Sequence, residues 1–156
     1  MTAQQFMSEH IERMGHSMAH FVSSTTPDML VWSQAAPNGD QSRTALEQVA
    51  ECVLANRLFA AMLRGESPER PEPLELTAEE AKSQIVSSSK ELADAVRDLD
   101  DASIDKEYLH PVRGPIPGLI LMMGAYRNMA YHCGQINFIQ ILGGDAEFHM
   151  PPTWLK

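Results

Sequence analysis

The chain has 156 residues, of which 44% are hydrophobic, and this fits a single domain over residues 1–156 with one core. Its 21 acidic and 12 basic residues give a formal net charge of -9, a surface that repels phosphate backbones, so we expect no nucleic-acid partner. No apolar run is long enough to span a bilayer, and no secretory signal is visible. The two cysteines are too few for a disulfide framework. Together these observations favour a cytoplasmic protein with reduced thiols.

The first long helical pattern covers residues 2–24. Its apolar residues recur at helical spacing and form one stripe, made of Met7, Ile11, Met14, Met18, Phe21 and Val22. The connection that follows, residues 25–43, contains prolines and an Asn38-Gly39 turn signal. Trp32 lies within this connection, and we expect it to cover one end of the core.

The second helical pattern begins with a capping box, in which Thr44 and Glu47 cap each other's backbone, and it ends near Arg64. Its main apolar stripe consists of Leu46, Val49, Val53, Ala60 and Leu63. A second stripe starts at Glu51 and continues through Ala55, Leu58 and Met62. Glu51 is therefore a carboxylate at the head of an otherwise apolar stripe.

The third helical pattern opens with the capping box of Thr77 and Glu80 and continues to about Leu99. It contains the run 87–89 of three serines, which we expect to be exposed or tightly packed. The chain then reads as irregular to Pro117, where the fourth helical pattern begins and runs to Leu142. The proline-containing tail beyond it is expected to lie across the helices.

The fourth helix contains a polar island on an apolar face. The face runs through Leu121, Ala125, Asn128, His132, Ile136 and Ile139, whose steps of three and four keep them aligned. Burying an imidazole and an amide without partners costs a few kcal/mol. A metal, a buried water, a ligand or the carboxylate of Glu51 is expected to satisfy them.

The run His132-Cys133-Gly134-Gln135-Ile136 resembles the His-x-Gly-Gln-Ile signature of the DinB family. Trp32 ahead of the second helix and the entry to the fourth helix through residues 114–118 are also similar to that family. The resemblance covers nearly the whole chain and implies an all-α fold, a four-helix bundle of DinB type with long inter-helix links and up-down-down-up helix directions. It further implies a homodimer and a metal-dependent hydrolase or a thiol transferase that acts on a small-molecule substrate.

In that family three histidines usually hold a divalent metal (Zn, Ni or Fe). Matched residue by residue, His132 corresponds to the last ligand, Asn128 stands where the family has a second histidine, and Glu51 falls on the ligand position of the second helix. One interpretation is a metal site made of Glu51, Asn128 and His132, in which a metal-bound water or thiol is the nucleophile. Without a metal, His132 and Glu51 would be a base and its orienting group.

The other interpretation is a binding or stress-associated protein without catalysis, in which the same three side chains form a hydrogen-bond network and Asn128 bridges the other two.

Cys52 and Cys133 each follow a site residue by one position, so their thiols are expected to point beside the site and to be inert. Gly124 is expected to allow close helix packing, and Gly134 either packing or room for a ligand. Gln135 is expected to bond a neighbouring loop or helix end.

Overall fold

The structure is a computed structural model, and it describes residues 1–155. Four long helices dominate it: α1 (Ala3–Ser24), α3 (Ala45–Leu63), α4 (Ala78–Arg97) and α6 (Gly118–Leu142). The shorter elements are α2 (Pro27–Leu30), α5 (Asp101–Asp105), the strands β1 (Glu107–His110) and β2 (Gly114–Pro117), and a 3-10 turn (Pro152–Leu155). This mostly helical architecture is consistent with the predicted all-α class. None of the helices in the described part of the chain combines the length and apolar character that crossing a bilayer requires.

The predicted starts of α3 and α4 are confirmed. The backbone N–H of Glu47 donates to Thr44 Oγ1 at 3.2 Å, and the carboxylate of Glu47 accepts from the backbone N–H of Thr44 at 2.7 Å. Thr77 and Glu80 form the same reciprocal pair at the start of α4. Each box satisfies two backbone donors that a helix start would otherwise leave unpaired, and so these two boundaries follow from local sequence.

Contacts between side chains establish the directions of α3, α4 and α6. Arg57 on α3 donates to Gln84 on α4, and Arg64, two turns later, donates to Glu91, so the residue numbers rise together and the two helices are parallel. On the other side of α3, Glu51 lies opposite His132 of α6, and the later Phe59 lies opposite the earlier Gly124, so α3 and α6 are antiparallel.

The first helix completes the arrangement. Met14 of α1 contacts Cys133 of α6, and the later Phe21 accepts from Gln140, so α1 and α6 are parallel. In chain order the four long helices therefore run up, down, down and up. The parallel pair α3 and α4 requires a link that returns along the bundle, segment 64–77, and the segments 25–44 and 98–117 form the other two long links.

Helices α1 and α4 lie in close contact at Gly15. Ser88 and Ser89 of α4 are buried and Ser87 is exposed, and Ser89 lies directly against Gly15. The small residues on both sides allow the two helices to approach closely, so the serine run is partly exposed and partly tightly packed, as its composition predicts.

The C-terminal tail, predicted to lie across the helices, packs on α1. Trp154 donates its indole N–H to Ser17 Oγ at 3.0 Å, and the hydroxyl of Thr153 lies 2.9 Å from the same oxygen. Trp32 is half-buried against the core, in agreement with its predicted role.

The prediction of irregular structure between Asp100 and Pro117 is wrong in two places. Asp100 accepts from the backbone N–H of Ser103 at 2.8 Å and starts the short helix α5. Strands β1 and β2 then form an antiparallel hairpin in which Tyr108 pairs with Ile116. Prolines in β2 weaken the sequence signal for a strand, but they are tolerated because a two-stranded hairpin has only edges.

Candidate functional site

The structure brings the three predicted site residues together between α3 and α6. His132 of α6 is only 5% exposed, and its Nε2 lies 3.7 Å from Oε1 of Glu51 on α3. Asn128, one helical turn before His132, lines the same pocket, which has a volume of about 340 Å³. The antiparallel packing of α3 and α6 thus places a carboxylate, an imidazole and an amide around one small cavity.

Two glutamine side chains hold the imidazole ring. Nδ1 of His132 lies 3.0 Å from Oε1 of Gln48 and 2.7 Å from Oε1 of Gln135. The amide nitrogen of Gln48 donates to the backbone carbonyl of Arg43 at 3.3 Å. Because that carbonyl can only accept, the oxygen of the Gln48 amide must face the ring, and Nδ1 must therefore carry the proton.

The proton on Nδ1 determines the chemistry at the other ring nitrogen. Burial lowers the pKa of His132, the hydrogen bond with Gln135 opposes this shift, and the charge of Arg43 adds to the lowering. The ring is therefore neutral near pH 7, with a lone pair on Nε2. This lone pair faces an oxygen of Glu51, which also only accepts, so the space between the two atoms suits a cation or a donor.

Glu51 is partly exposed. Its side chain is 39% exposed, and its Oε2 forms an ion pair with the guanidinium of Arg43. The three residues therefore lie around a half-open pocket at the edge of the core, lined in addition by Ser42 and Tyr131. The carboxylate therefore faces the imidazole with Oε1 and a permanent positive charge with Oε2.

Asn128 does not bridge the other two residues. Its amide nitrogen donates to Sγ of Cys52 at 3.6 Å, so the amide oxygen is the Asn128 atom that remains for a ligand. Burial raises the pKa of the Cys52 thiol, and burial also raises the pKa of Cys133, to about 12. Both thiols therefore stay protonated near neutral pH, and neither has the thiolate character that a nucleophile needs.

Sequence reasoning missed Arg43 and Gln48. Gln48 lies three residues before Glu51 on the same helix face, a spacing that could have indicated a shared site. Arg43 belongs to the connection before α3, and nothing in its sequence context predicts where its side chain points. The glutamine pair, rather than the carboxylate of Glu51, orients the imidazole ring.

Gln135 bonds within its own helix, to His132 and to the hydroxyl of Tyr131, so its predicted contact with a neighbouring loop or helix end is wrong. Gly124 does provide close packing: a β-carbon built there would lie 3.2 Å from Phe59 Cε2. A β-carbon built at Gly134 would have no neighbour within 4 Å. Gly134 is therefore not needed for close helix packing within the chain, and it does not form part of the pocket wall.

The donor set fits a weak divalent-cation site. Metal–ligand bonds of about 2.0–2.2 Å to nitrogen and oxygen can span the 3.7 Å between Nε2 of His132 and Oε1 of Glu51. The bond from Nδ1–H to a carbonyl oxygen is also the usual support of a histidine ligand. Within residues 1–155, however, no three side chains of the His, Cys, Asp or Glu type group together as a metal centre. Asn128 would have to supply the third donor.

No protein-family model, curated protein or solved structure matches this chain. The resemblance to the DinB family therefore rests on the residues quoted above, and the function is proposed from the geometry of the pocket.

Proposed function

We propose that this chain is a DinB-like four-helix bundle with a divalent-cation site at Glu51, Asn128 and His132, and that it acts as a metal-dependent hydrolase or a thiol S-transferase. One observation carries the proposal. The unprotonated Nε2 of His132 and the Oε1 of Glu51 face each other across 3.7 Å, and no donor of the described residues lies between them. Two acceptors in this arrangement are stabilised by a cation that binds both.

The pocket residues would have separate roles. A bound divalent cation would act as the Lewis acid that activates a water or a thiol. His132 and Glu51 would hold the cation through Nε2 and Oε1, and Gln48 would keep the ring in the correct tautomer. Arg43 would compete for the carboxylate and so keep cation affinity low. The half-open mouth beside Tyr131 would admit a small-molecule substrate.

Metal titration of untagged, chelator-stripped protein tests the proposal. We expect one equivalent of Zn, Ni or Fe to bind, by calorimetry and by thermal shift. The substitution Glu51→Gln is expected to weaken binding by about a hundredfold, and Gln48→Leu, which leaves the ligands in place, by about tenfold. His16→Gln removes an exposed histidine of α1 and is the matched control, with unchanged affinity expected. Binding of only a small fraction of an equivalent, or equal affinity in Glu51→Gln, would contradict the proposal.

The second candidate function is a non-catalytic binding bundle, and the ion pair between Arg43 and Glu51 favours it, because an arginine already neutralises the carboxylate. Arg43→Gln distinguishes the two functions. If Glu51 holds a metal, removing the competing arginine should tighten metal binding by about fivefold. If the pocket is only a network of hydrogen bonds, the same variant should lose thermal stability, and neither divalent metals nor low-molecular-weight thiols should restore it.

A second copy of the chain is the proposed partner, bound through the outer face of α6. Phe138, Ile141 and Leu142 form an exposed apolar stripe there, each at least 47% exposed. Light scattering after size exclusion should report a dimer for the native chain and a monomer for Phe138→Glu. The control Phe6→Glu places the same charge on a half-exposed phenylalanine of α1 and should leave the dimer intact. A monomeric native chain would refute this assignment.

A further inference from the structure

A larger groove opens beside the candidate cation site. It has a volume of about 890 Å³ and lies between α3 and α6, where it is also bordered by the segment 70–75 and by the β1–β2 hairpin. Arg43, Glu51 and Asn128 line both this groove and the smaller pocket. A molecule lying in the groove would therefore reach the carboxylate that faces His132.

The floor of the groove is apolar. The stripe of α3 that begins at Glu51 continues along it as Ala55 and Leu58, both half-buried, which explains why a second apolar stripe exists on that helix. The next residue of α3, Phe59, packs its ring against Gly124 of α6. An apolar body can lie along this floor, because its burial there would remove apolar surface from water.

The rim of the groove is basic, although the chain as a whole carries a net charge of -9. Arg70, Arg113 and Arg127 line it from three different elements, and none of them forms an ion pair with a carboxylate of residues 1–155. Among the lining carboxylates, Glu51 is paired with Arg43.

The other carboxylates do not cancel this charge. Glu47 is held in the capping box of α3, which leaves Glu75 as the lining acid without an ion pair or cap among the described residues. His110 also lines the groove, and burial lowers the pKa of this imidazole, so it stays neutral near pH 7. Four lining arginines (Arg43, Arg70, Arg113 and Arg127) outnumber the three lining carboxylates (Glu47, Glu51 and Glu75), so the groove keeps a net positive charge, which attracts anions.

From the apolar floor and this basic rim together we propose that the groove binds an anionic amphiphile, a small molecule that joins a carboxylate or phosphate to an aliphatic or aromatic body. The arginines bind the anionic group, and the side chains of Leu58 and Phe59 pack against the body. This deepens the proposed function, since it names the substrate class of the Glu51–His132 pocket. Binding in the groove needs no metal, so the two proposals can fail independently.

Calorimetry on chelator-stripped protein tests the groove, with four probes that share one alkyl chain. Octanoate and octyl phosphate should bind, and the tighter of the two identifies the anionic group. Octanol and octyltrimethylammonium should bind at least about fivefold more weakly, because they lack the charge that the arginines recognise. Equal binding of all four probes, or binding of none, would overturn the proposal whatever the metal titration shows.

Variants locate the binding surface. The triple variant R70Q/R113Q/R127Q should weaken octanoate and octyl phosphate by about tenfold or more, and the single variants should show which arginine contributes most. R57Q removes an arginine of α3 that lies outside the groove and bonds Gln84 instead, so it should leave affinity unchanged. Unchanged binding by the triple variant would refute the role of the basic rim.

Filling the groove is the second test. Ala55→Phe places a ring on the apolar floor and should abolish binding of both anions, while Ala61→Phe, at a half-buried position of the same helix outside the groove, should not. Thermal unfolding of both variants shows whether they are folded. Undiminished binding by folded Ala55→Phe would place the ligand elsewhere.

Discussion

Replacing Gly15 by alanine is expected to destabilise the protein by about 2 kcal/mol, although alanine is the better helix former by about 1 kcal/mol. A β-carbon at this position would overlap Ser89 Oγ and lie 2.5 Å from Ser89 Cβ. The hydroxyl can rotate away, but the β-carbon of Ser89 cannot, and so α1 and α4 must separate along their contact. Urea unfolding of the two proteins, followed by circular dichroism, measures the difference.

The same experiment has a control and a rescue within the chain. In Gly134→Ala, in the middle of α6, the added β-carbon meets nothing within 4 Å. This substitution should stabilise the protein by up to about 1 kcal/mol when it is measured at a concentration low enough to keep the chain monomeric. Ser89→Gly in the Gly15→Ala background removes the β-carbon that causes the overlap and should recover part of the loss. Equal effects of the two alanine substitutions would show that α1 and α4 do not approach as described.

Acidification of metal-free protein should lower the free energy of unfolding, and His132 should account for part of the change. Burial holds the pKa of His132 below its ordinary value of about 6.5, which the unfolded chain retains. The stabilising contribution is therefore fully present above about pH 6.5. It is lost as the pH falls from there through the lower folded pKa, since the unfolded state then binds the proton more readily.

The slope that one such group produces is at most about 1.4 kcal/mol per pH unit. Urea unfolding between pH 7.5 and pH 5.5, with a chelator present, compares the native chain with His132→Gln, whose slope should be shallower. His110 has a pKa lowered mainly by burial and contributes in the same window, so His110→Gln measures its share. Asp94 and Asp100, whose pKa values are lowered by hydrogen bonds with Lys90 and Ser103, contribute only in a more acidic range. Identical slopes for the native chain and His132→Gln would refute a neutral, buried imidazole.

The long helices were predictable because their signals are local. The capping boxes at Thr44 and Thr77 act over three residues, and the apolar periodicity of each helix is a property of its own segment. The β1–β2 hairpin was not predictable, because its prolines weaken the strand pattern. His110 Nδ1 supports its turn by accepting from the backbone N–H groups of Val112 and Arg113, an interaction that no strand pattern shows.

The candidate site was predicted in part. His132 and Asn128 lie one turn apart on α6, so their shared face follows from helical spacing alone. That Glu51 lies opposite them depended on the family resemblance, and the distance of 3.7 Å is a property of the packed helices. Gln48 could have been inferred from its spacing to Glu51, whereas Arg43 reaches the carboxylate from outside the helix, through a link whose path local sequence does not specify.

The sequence by itself therefore determined where the long helices begin and end, which faces they bury, and that His132 and Asn128 share a face of α6. These properties depend on backbone hydrogen bonding and side-chain periodicity within about one or two turns. The tertiary structure decided which nitrogen of His132 carries the proton, that an arginine neutralises Glu51, and that the second stripe of α3 forms the floor of a basic-rimmed groove. The protonation of His132 and the groove depend on helix packing, which brings together side chains as far apart in sequence as His132 and Gln48, 84 residues. The ion pair of Arg43 with Glu51 spans only eight residues, but it depends on the path of the link before α3, which local sequence does not specify.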